Sequence, residues 1–211
     1  MAKNGSTTKK RILEETQNLV YETGFAAATI DKIIERCGIT KGTFFYHFKS
    51  KADLAQSLIY EFTEKDIEEL QKALCDTEIY QADPFKRMLE FVQWYINLMS
   101  DKNEPVQGCL YALYSYQPGL FDTEIQEHIS SAILNWRNLF GELLDDVLKV
   151  RKPKITIDKV SLQDMFVAIF EGGFILEKIL EDSQATSKQL QNFKNYLELI
   201  FDYENKTGNK T

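Results

Sequence analysis

Cysteine is scarce in this chain: three in 211 residues, at Cys37, Cys75 and Cys109. The set is odd and holds no C-x-x-C pair, which argues against a disulfide framework or a thiolate zinc site. Thiols this sparse predict a protein of the reducing cytoplasm. Proline is equally rare, with four residues, and no Pro-rich or Gly/Ser-rich tract separates tethered modules. No repeat is visible. No run of eighteen apolar residues occurs, so neither a membrane span nor a membrane partner is expected. The basic opening "MAKNGSTTKKR" is followed by no apolar stretch, and no secretory signal is expected there. Only two histidines are present, His47 and His128, and G-x-S-x-G, Walker A and G-x-G-x-x-G motifs are all missing. That inventory argues against an enzyme and calls for no cofactor and no metal.

What is present is ordinary in amount and uneven in placement. Hydrophobic residues make up 44% and charged residues 27%, enough for a sizeable core. The net charge is −7, which by itself speaks against nucleic acid. Residues 1–51, however, carry nine basic and five acidic side chains, a net of +4, while the remainder carries 16 and 27, a net of −11. A small basic head on a larger acidic body predicts that one end meets a polyanion and the other does not.

Periodicity predicts an all-α chain of about nine helices. The first runs from Thr7 to Thr23, with Ile12, Thr16, Leu19 and Val20 on one face and Gly24 as its stop. The second starts behind Thr29 as N-cap and carries Ile30, Ile33, Ile34 and Cys37 at i, i+3, i+4, i+7. Gly38 ends it, and Thr40 caps a short third helix from Lys41 to about His47. A fourth, long helix opens at "SKAD", where Ser50 and Asp53 make a capping box. Asp83-Pro84 starts a fifth helix reaching about Met99. The loop "DKNEP" follows, then a short sixth helix at 108–116 closed by Pro118-Gly119. Longer helices are expected at 122–150, 158–180 and 187–203. "KITID" could form a short strand, but a lone strand has no partner. The expected division is a small basic head, residues 1–53, and a larger helical domain, residues 54–211.

"GITKGTFFYHFKSKADL" crowds Phe44, Phe45, Phe48, Tyr46 and His47 among Lys41, Lys49 and Lys51. Two helices joined by a short Gly-containing turn form a helix-turn-helix. On the third helix, Phe44 and Phe48 share the face turned to the second helix and are core. Thr43, Tyr46 and His47 lie on the opposite face. Gly42 lets backbone approach a phosphate, and Thr40 and Lys41 stand at the helix start, where free N–H groups attract phosphate. Lys51 projects to the same side from the first turn of the fourth helix. Polar and aromatic tips suit base edges of the major groove, and lysines suit the phosphates. One short helix reads few base pairs, so a dimer on two half-sites is expected.

Residues 7–54, and above all "GFAAATIDKIIERCGITKGTFFYHFKSKADL", resemble the N-terminal domain of the TetR/AcrR family of bacterial transcriptional regulators. The resemblance implies a three-helix DNA-binding head, a helical effector-binding and dimerisation domain, and operator contacts from Thr29, Thr40, Lys41, Thr43, Tyr46, His47 and Lys51. Phe45 stands where the family most often has a Tyr whose hydroxyl bonds a phosphate. Beyond residue 60 the resemblance is one of architecture, and "GCLYALYSYQPGLFDTEI" is similar to one C-terminal subgroup. The implied protein is a ligand-responsive regulator, a repressor released from double-stranded operator DNA by a small-molecule effector. The alternatives are a helical ligand-binding or adaptor protein with a vestigial head, and a DNA-binding dimer without a ligand.

Several features admit two readings. Lys3, Lys9, Lys10 and Arg11 suit a minor-groove arm or an unstructured basic tail. Glu124 and His128, at i and i+4, permit a metal, but no second ligand pair accompanies them. Cys109 suits a thiol sensor or a small buried hydrophobe; no Lys, Arg or His stands beside it to activate the thiol. Trp94, Tyr95, Tyr111, Tyr114, Trp136 and Phe170 are core or the wall of a pocket, which for a small apolar or aromatic effector would hold about 300–1,000 Å³. The ninth helix is apolar nearly all round and the eighth holds adjacent glycines. From these a homodimer interface is expected at Gly172, Gly173, Leu176, Phe193, Leu197 and Ile200.

Overall fold

The computed structural model describes residues 2–101, 106–117 and 121–201, with side chains from Ser6 onward. Among them run nine α-helices. These are α1 (Ala2–Thr23), α2 (Ile30–Cys37), α3 (Lys41–His47), α4 (Lys51–Asp76), α5 (Pro84–Ser100), α6 (Leu110–Ser115), α7 (Thr123–Val150), α8 (Lys159–Leu180) and α9 (Ala185–Phe201). A single 3-10 turn, Glu78–Tyr80, precedes α5. There is no strand among the described residues, and "KITID" is irregular up to the start of α8. The loop from Lys102 to Pro105, the stop at Pro118-Gly119 and the end of the ninth helix at Tyr203 lie outside the described residues.

Local chemistry sets the helix limits. Thr29 caps α2 by accepting the Lys32 N–H, and Gly38 closes it at φ 57°, a left-handed geometry that glycine adopts without strain. Asp83 caps α5 by accepting the Lys86 N–H, with Pro84 at the first helical position. At the start of α4, Ser50 Oγ accepts the Asp53 N–H at 3.1 Å. Asp53 reaches back to the Lys49 N–H at 2.7 Å, one residue earlier than a standard capping box. α1 begins at Ala2, so Lys9, Lys10 and Arg11 sit on a helix and form neither an extended arm nor an unstructured tail.

The chain packs as two compact units. The first holds residues 1–68 and 107–132; the second holds 69–106 and 133–211. The packing is thus drawn differently from the expected division after residue 53. The start of α4, all of α6 and the start of α7 join the head, because side chains tie them together there. Tyr114 donates to the Ala55 carbonyl at 2.9 Å, Tyr111 to Asp66 at 3.0 Å, and Tyr60 to Glu124 at 2.7 Å.

In the second unit α9 packs on α5 and α8. Phe85, Phe91, Tyr95, Phe140, Phe166 and Phe193 lie in its core, and the Phe140 and Phe166 rings stack at 4.9 Å. Phe193, Leu197 and Ile200 belong to this core at 0–3% exposure. They are therefore corrected from the expected dimer surface to internal packing. Gly173 is corrected likewise: a Cβ there would stand 2.7–2.9 Å from three atoms of Thr186, at the start of α9. The close helix approach that glycine permits is within one chain. One residue away, Gly172 is exposed and a Cβ would meet nothing. Glu177, fully buried, braces the same corner, its carboxylate accepting the Val106 N–H at 2.7 Å and the Thr186 N–H at 3.2 Å.

Candidate nucleic-acid interface

The helix-turn-helix is built from α2, Gly38 and α3. Ile33 and Cys37 turn inward from α2, and Phe44 and Phe48 from α3, at 0 and 1% exposure. The Ile39 N–H bonds the Ile34 carbonyl at 3.1 Å, closing the turn onto α2. Thr40 Oγ1 accepts the Thr43 N–H at 3.1 Å and lies 2.9 Å from the Thr43 hydroxyl, so the two threonines fix each other at the start of α3.

The outer face of α3 is polar and aromatic. Tyr46 is 82% exposed, its ring edge-on to His47 at 5.0 Å. Phe45 is 44% exposed and meets Phe44 edge-on at 5.3 Å. Lys41 and Gly42 are exposed, while Thr43 and His47 are half-buried. Lys41 comes within 3.9 Å of Asp31, an exposed pair that costs a competing anion little to displace. The structure thus brings Thr40, Lys41, Gly42, Thr43, Tyr46 and His47 to one helix, with Thr29 at the start of α2.

Two cations behave in ways that periodicity does not foretell. Arg36 donates to Glu22 through both terminal nitrogens, at 2.6 and 2.7 Å, and to Glu15 at 2.8 Å. These bonds hold the Glu22 carboxyl below the usual carboxylate range and lash α2 to α1. Lys51 donates to the carbonyls of Phe25 at 2.5 Å and Ala26 at 3.1 Å, and burial lowers its pKa. Both rest on tertiary partners, and no spacing rule points to a backbone carbonyl 25 residues away.

The expected effector residues divide between the units. In the second unit Tyr95 packs against Trp136 at 5.2 Å and Phe170 at 5.4 Å. Trp94 meets Tyr95 at 4.9 Å, but its N–H goes to Asp76 at 2.9 Å. Tyr111 and Tyr114 lie in the first unit, where burial pushes both phenols well above their usual range. An open cleft of about 470 Å³ lies elsewhere in that unit, lined by α1 and α4 residues such as Lys9, Lys10, Tyr60 and Glu64.

Glu124 and His128 do not converge. Glu124 accepts from Gln56 at 2.9 Å and from Tyr60, whereas His128 Nε2 lies 3.1 Å from Thr63 Oγ1. The same hydroxyl lies 2.9 Å from the Ile59 carbonyl, one helical turn earlier on α4. Among the described residues, no three His, Cys, Asp or Glu side chains gather as a metal site would require. Cys109 is buried at the start of α6.

Residues 12–58 match the family described as bacterial regulatory proteins, tetR family. Over 49 residues the chain is 49% identical to the uncharacterized HTH-type transcriptional regulator YerO of Bacillus subtilis (strain 168), a match covering 23% of this chain and 17% of that one. It is 19% identical over 172 residues to the HTH-type transcriptional repressor DhaR of Mycobacterium sp. (strain GP1), covering 81% and 82%. A crystal structure of a TetR transcriptional regulator from Chloroflexus aurantiacus J-10-fl superposes with a TM-score of 0.74 at 21% identity, covering 94% of this chain and 98% of that one.

Proposed function

We propose that this chain, which belongs to the TetR/AcrR family of transcriptional regulators, is a homodimeric cytoplasmic repressor that leaves its operator when a small apolar or aromatic molecule binds its second unit. The observation that carries the reading is the division of α3 between Phe44 and Phe48, at 0 and 1% exposure, and Tyr46 at 82%. A tyrosine held in water beside two buried rings suits a base edge in the major groove. Thr40, Lys41, Gly42, Thr43 and His47 surround it as contacts to phosphate and base, with Thr29 serving the start of α2. A mobility-shift assay on the DNA upstream of its own gene tests this directly. No specific complex there or at neighbouring genes would leave a helical protein with an inert head.

α3 has seven residues, about 10 Å at 1.5 Å per residue, and reads only part of a site. Two copies on half-sites about 34–36 Å apart supply the rest. The surface proposed to join them is the exposed stripe of Gly172, Ile175, Leu176 and Ile179 on α8, spaced i, i+3, i+4, i+7, with Tyr196 and Leu199 on α9. Ile179 and Leu199 are 72% and 73% exposed, more than a monomer gains by leaving in water. Ile179→Glu should convert the dimer to monomer in sedimentation at micromolar concentration with helicity intact. An unchanged dimer would move the interface elsewhere.

The effector is proposed to bind at the Tyr95, Trp136 and Phe170 cluster, whose rings offer apolar area with few charges. α4 and α7 each contribute residues to both units, which gives an occupied site a route to the head. A coupling of about 1–3 kcal/mol would loosen operator binding about 5–150-fold. Operator titrations with a panel of hydrophobic small molecules should find compounds that weaken wild-type binding and act less on Trp136→Ala. If none shifts operator affinity, the chain is a DNA-binding dimer without a ligand.

A further inference from the structure

Lys51 opens α4, at a place where a cation suits a phosphate. In the structure its ammonium is occupied from two directions. Two of its three N–H groups meet the carbonyls of Phe25, at 2.5 Å, and Ala26, at 3.1 Å, in the turn between α1 and α2. The same nitrogen stands 4.6 Å from the centre of the Phe25 ring, a cation–π distance.

The Phe25 ring is held from elsewhere too. It meets Tyr114 at 5.6 Å and Phe121 at 5.0 Å, and those two rings stack on each other at 4.2 Å and 9°. The Tyr114 hydroxyl returns to α4, donating to the Ala55 carbonyl one turn beyond Lys51 at 2.9 Å. The contacts close a circuit from the start of α4, through the turn, through the aromatic pair and back to α4, all inside the first unit. Thr29, the N-cap of α2, follows Phe25 by four residues, so this turn sets the direction in which the helix-turn-helix departs from α1.

We propose that Lys51 is a positioning residue for operator recognition: it braces the α1–α2 turn through the Phe25 and Ala26 carbonyls and the Phe25 ring, instead of neutralising a phosphate. The proposal rests on the DNA-binding reading and departs from the phosphate role that the family resemblance implies for this lysine. The burial that lowers the lysine's pKa agrees with a cation turned into the protein.

Lys51→Met keeps the aliphatic stem and removes the donors. Its operator affinity should fall on the order of tenfold, with the slope of log affinity against log salt unchanged, whereas losing a phosphate contact reduces that slope by about one unit per half-site. Phe25→Leu, far from any phosphate role, should give a comparable fall, and the double variant should lose little more than either single one. In the DNA-free protein, the Ala28 and Thr29 amides, bonded to the Gly24 and Ala27 carbonyls at 3.2 and 3.0 Å, should exchange hydrogen faster in Lys51→Met. A reduced salt slope with unchanged exchange, or additive losses in the double variant, would overturn the brace. Failure of the unaltered protein to bind operator would sink the regulator reading alone, because the exchange measurement needs no DNA.

Discussion

Replacing Lys41 and Tyr46 together by Ala should lower operator affinity by about a thousandfold or more. A base-edge contact carries about 1–3 kcal/mol, a phosphate contact adds its counterion term, and in the proposed dimer each change acts in both half-sites. The fold should not notice. Tyr46 is 82% exposed and the Lys41 side chain 69% exposed. Circular dichroism and sedimentation should therefore match the unaltered chain while the mobility shift disappears. Unchanged operator affinity would remove α3 as the reading element. Loss of helicity would mean the pair holds the fold despite its exposure.

The second large effect is on stability. A Cβ at Gly173 would stand 2.7 Å from Thr186 Oγ1 and 2.8 Å from its Cα, and backbone cannot rotate aside as a side chain can. Gly173→Ala should cost about 1–3 kcal/mol as overpacking, set against about 1 kcal/mol gained in helix propensity. Gly173→Leu should cost more than about 4 kcal/mol, in the range reserved for disrupted cores. Gly172→Ala, whose Cβ meets nothing within its own chain, should cost the fold of that chain less than Gly173→Ala does. Glu177→Ala strips the acceptor from two backbone N–H groups and should cost about 2–5 kcal/mol. Urea unfolding of the four variants decides it. Equal midpoints for Gly172→Ala and Gly173→Ala would refute the close approach to α9.

These glycines mark the limit of what periodicity reveals. An adjacent pair in a helix is costly, so some close approach was legible; which helix approaches was not, because spacing along α8 says nothing about what lies across from it. α9 has the same lesson. Its apolar residues run nearly all round it, yet Phe193, Leu197 and Ile200 share the face turned into one core and Tyr196 and Leu199 the face outside it, a sorting that composition does not give. The head was more legible because its signals are local. Thr29, Gly38, Thr40 and Ser50 act on atoms within a few residues. Phe44 and Phe48 were separable from Tyr46 by helical phase alone. Lys51 and Arg36 were not readable in this way, since a lysine beside backbone carbonyls and an arginine beside two glutamates 14 and 21 residues away leave no spacing pattern. The aromatic set failed to stay together for a related reason: phase tells which side of a helix is buried, and Tyr111 and Tyr95 are buried in different units.

The first unit is assembled from two stretches of chain, 1–68 and 107–132, with part of the second unit synthesised between them. A chain emerging from the ribosome therefore presents its three-helix head well before Tyr114 and Phe121 exist to pack on Phe25. During that interval the Phe25 ring and the Ala55 carbonyl lack their later partners, and the head is only partly built. Translation thus imposes an order of assembly in which the reading helix is made early and steadied late, after roughly 60 further residues have been added.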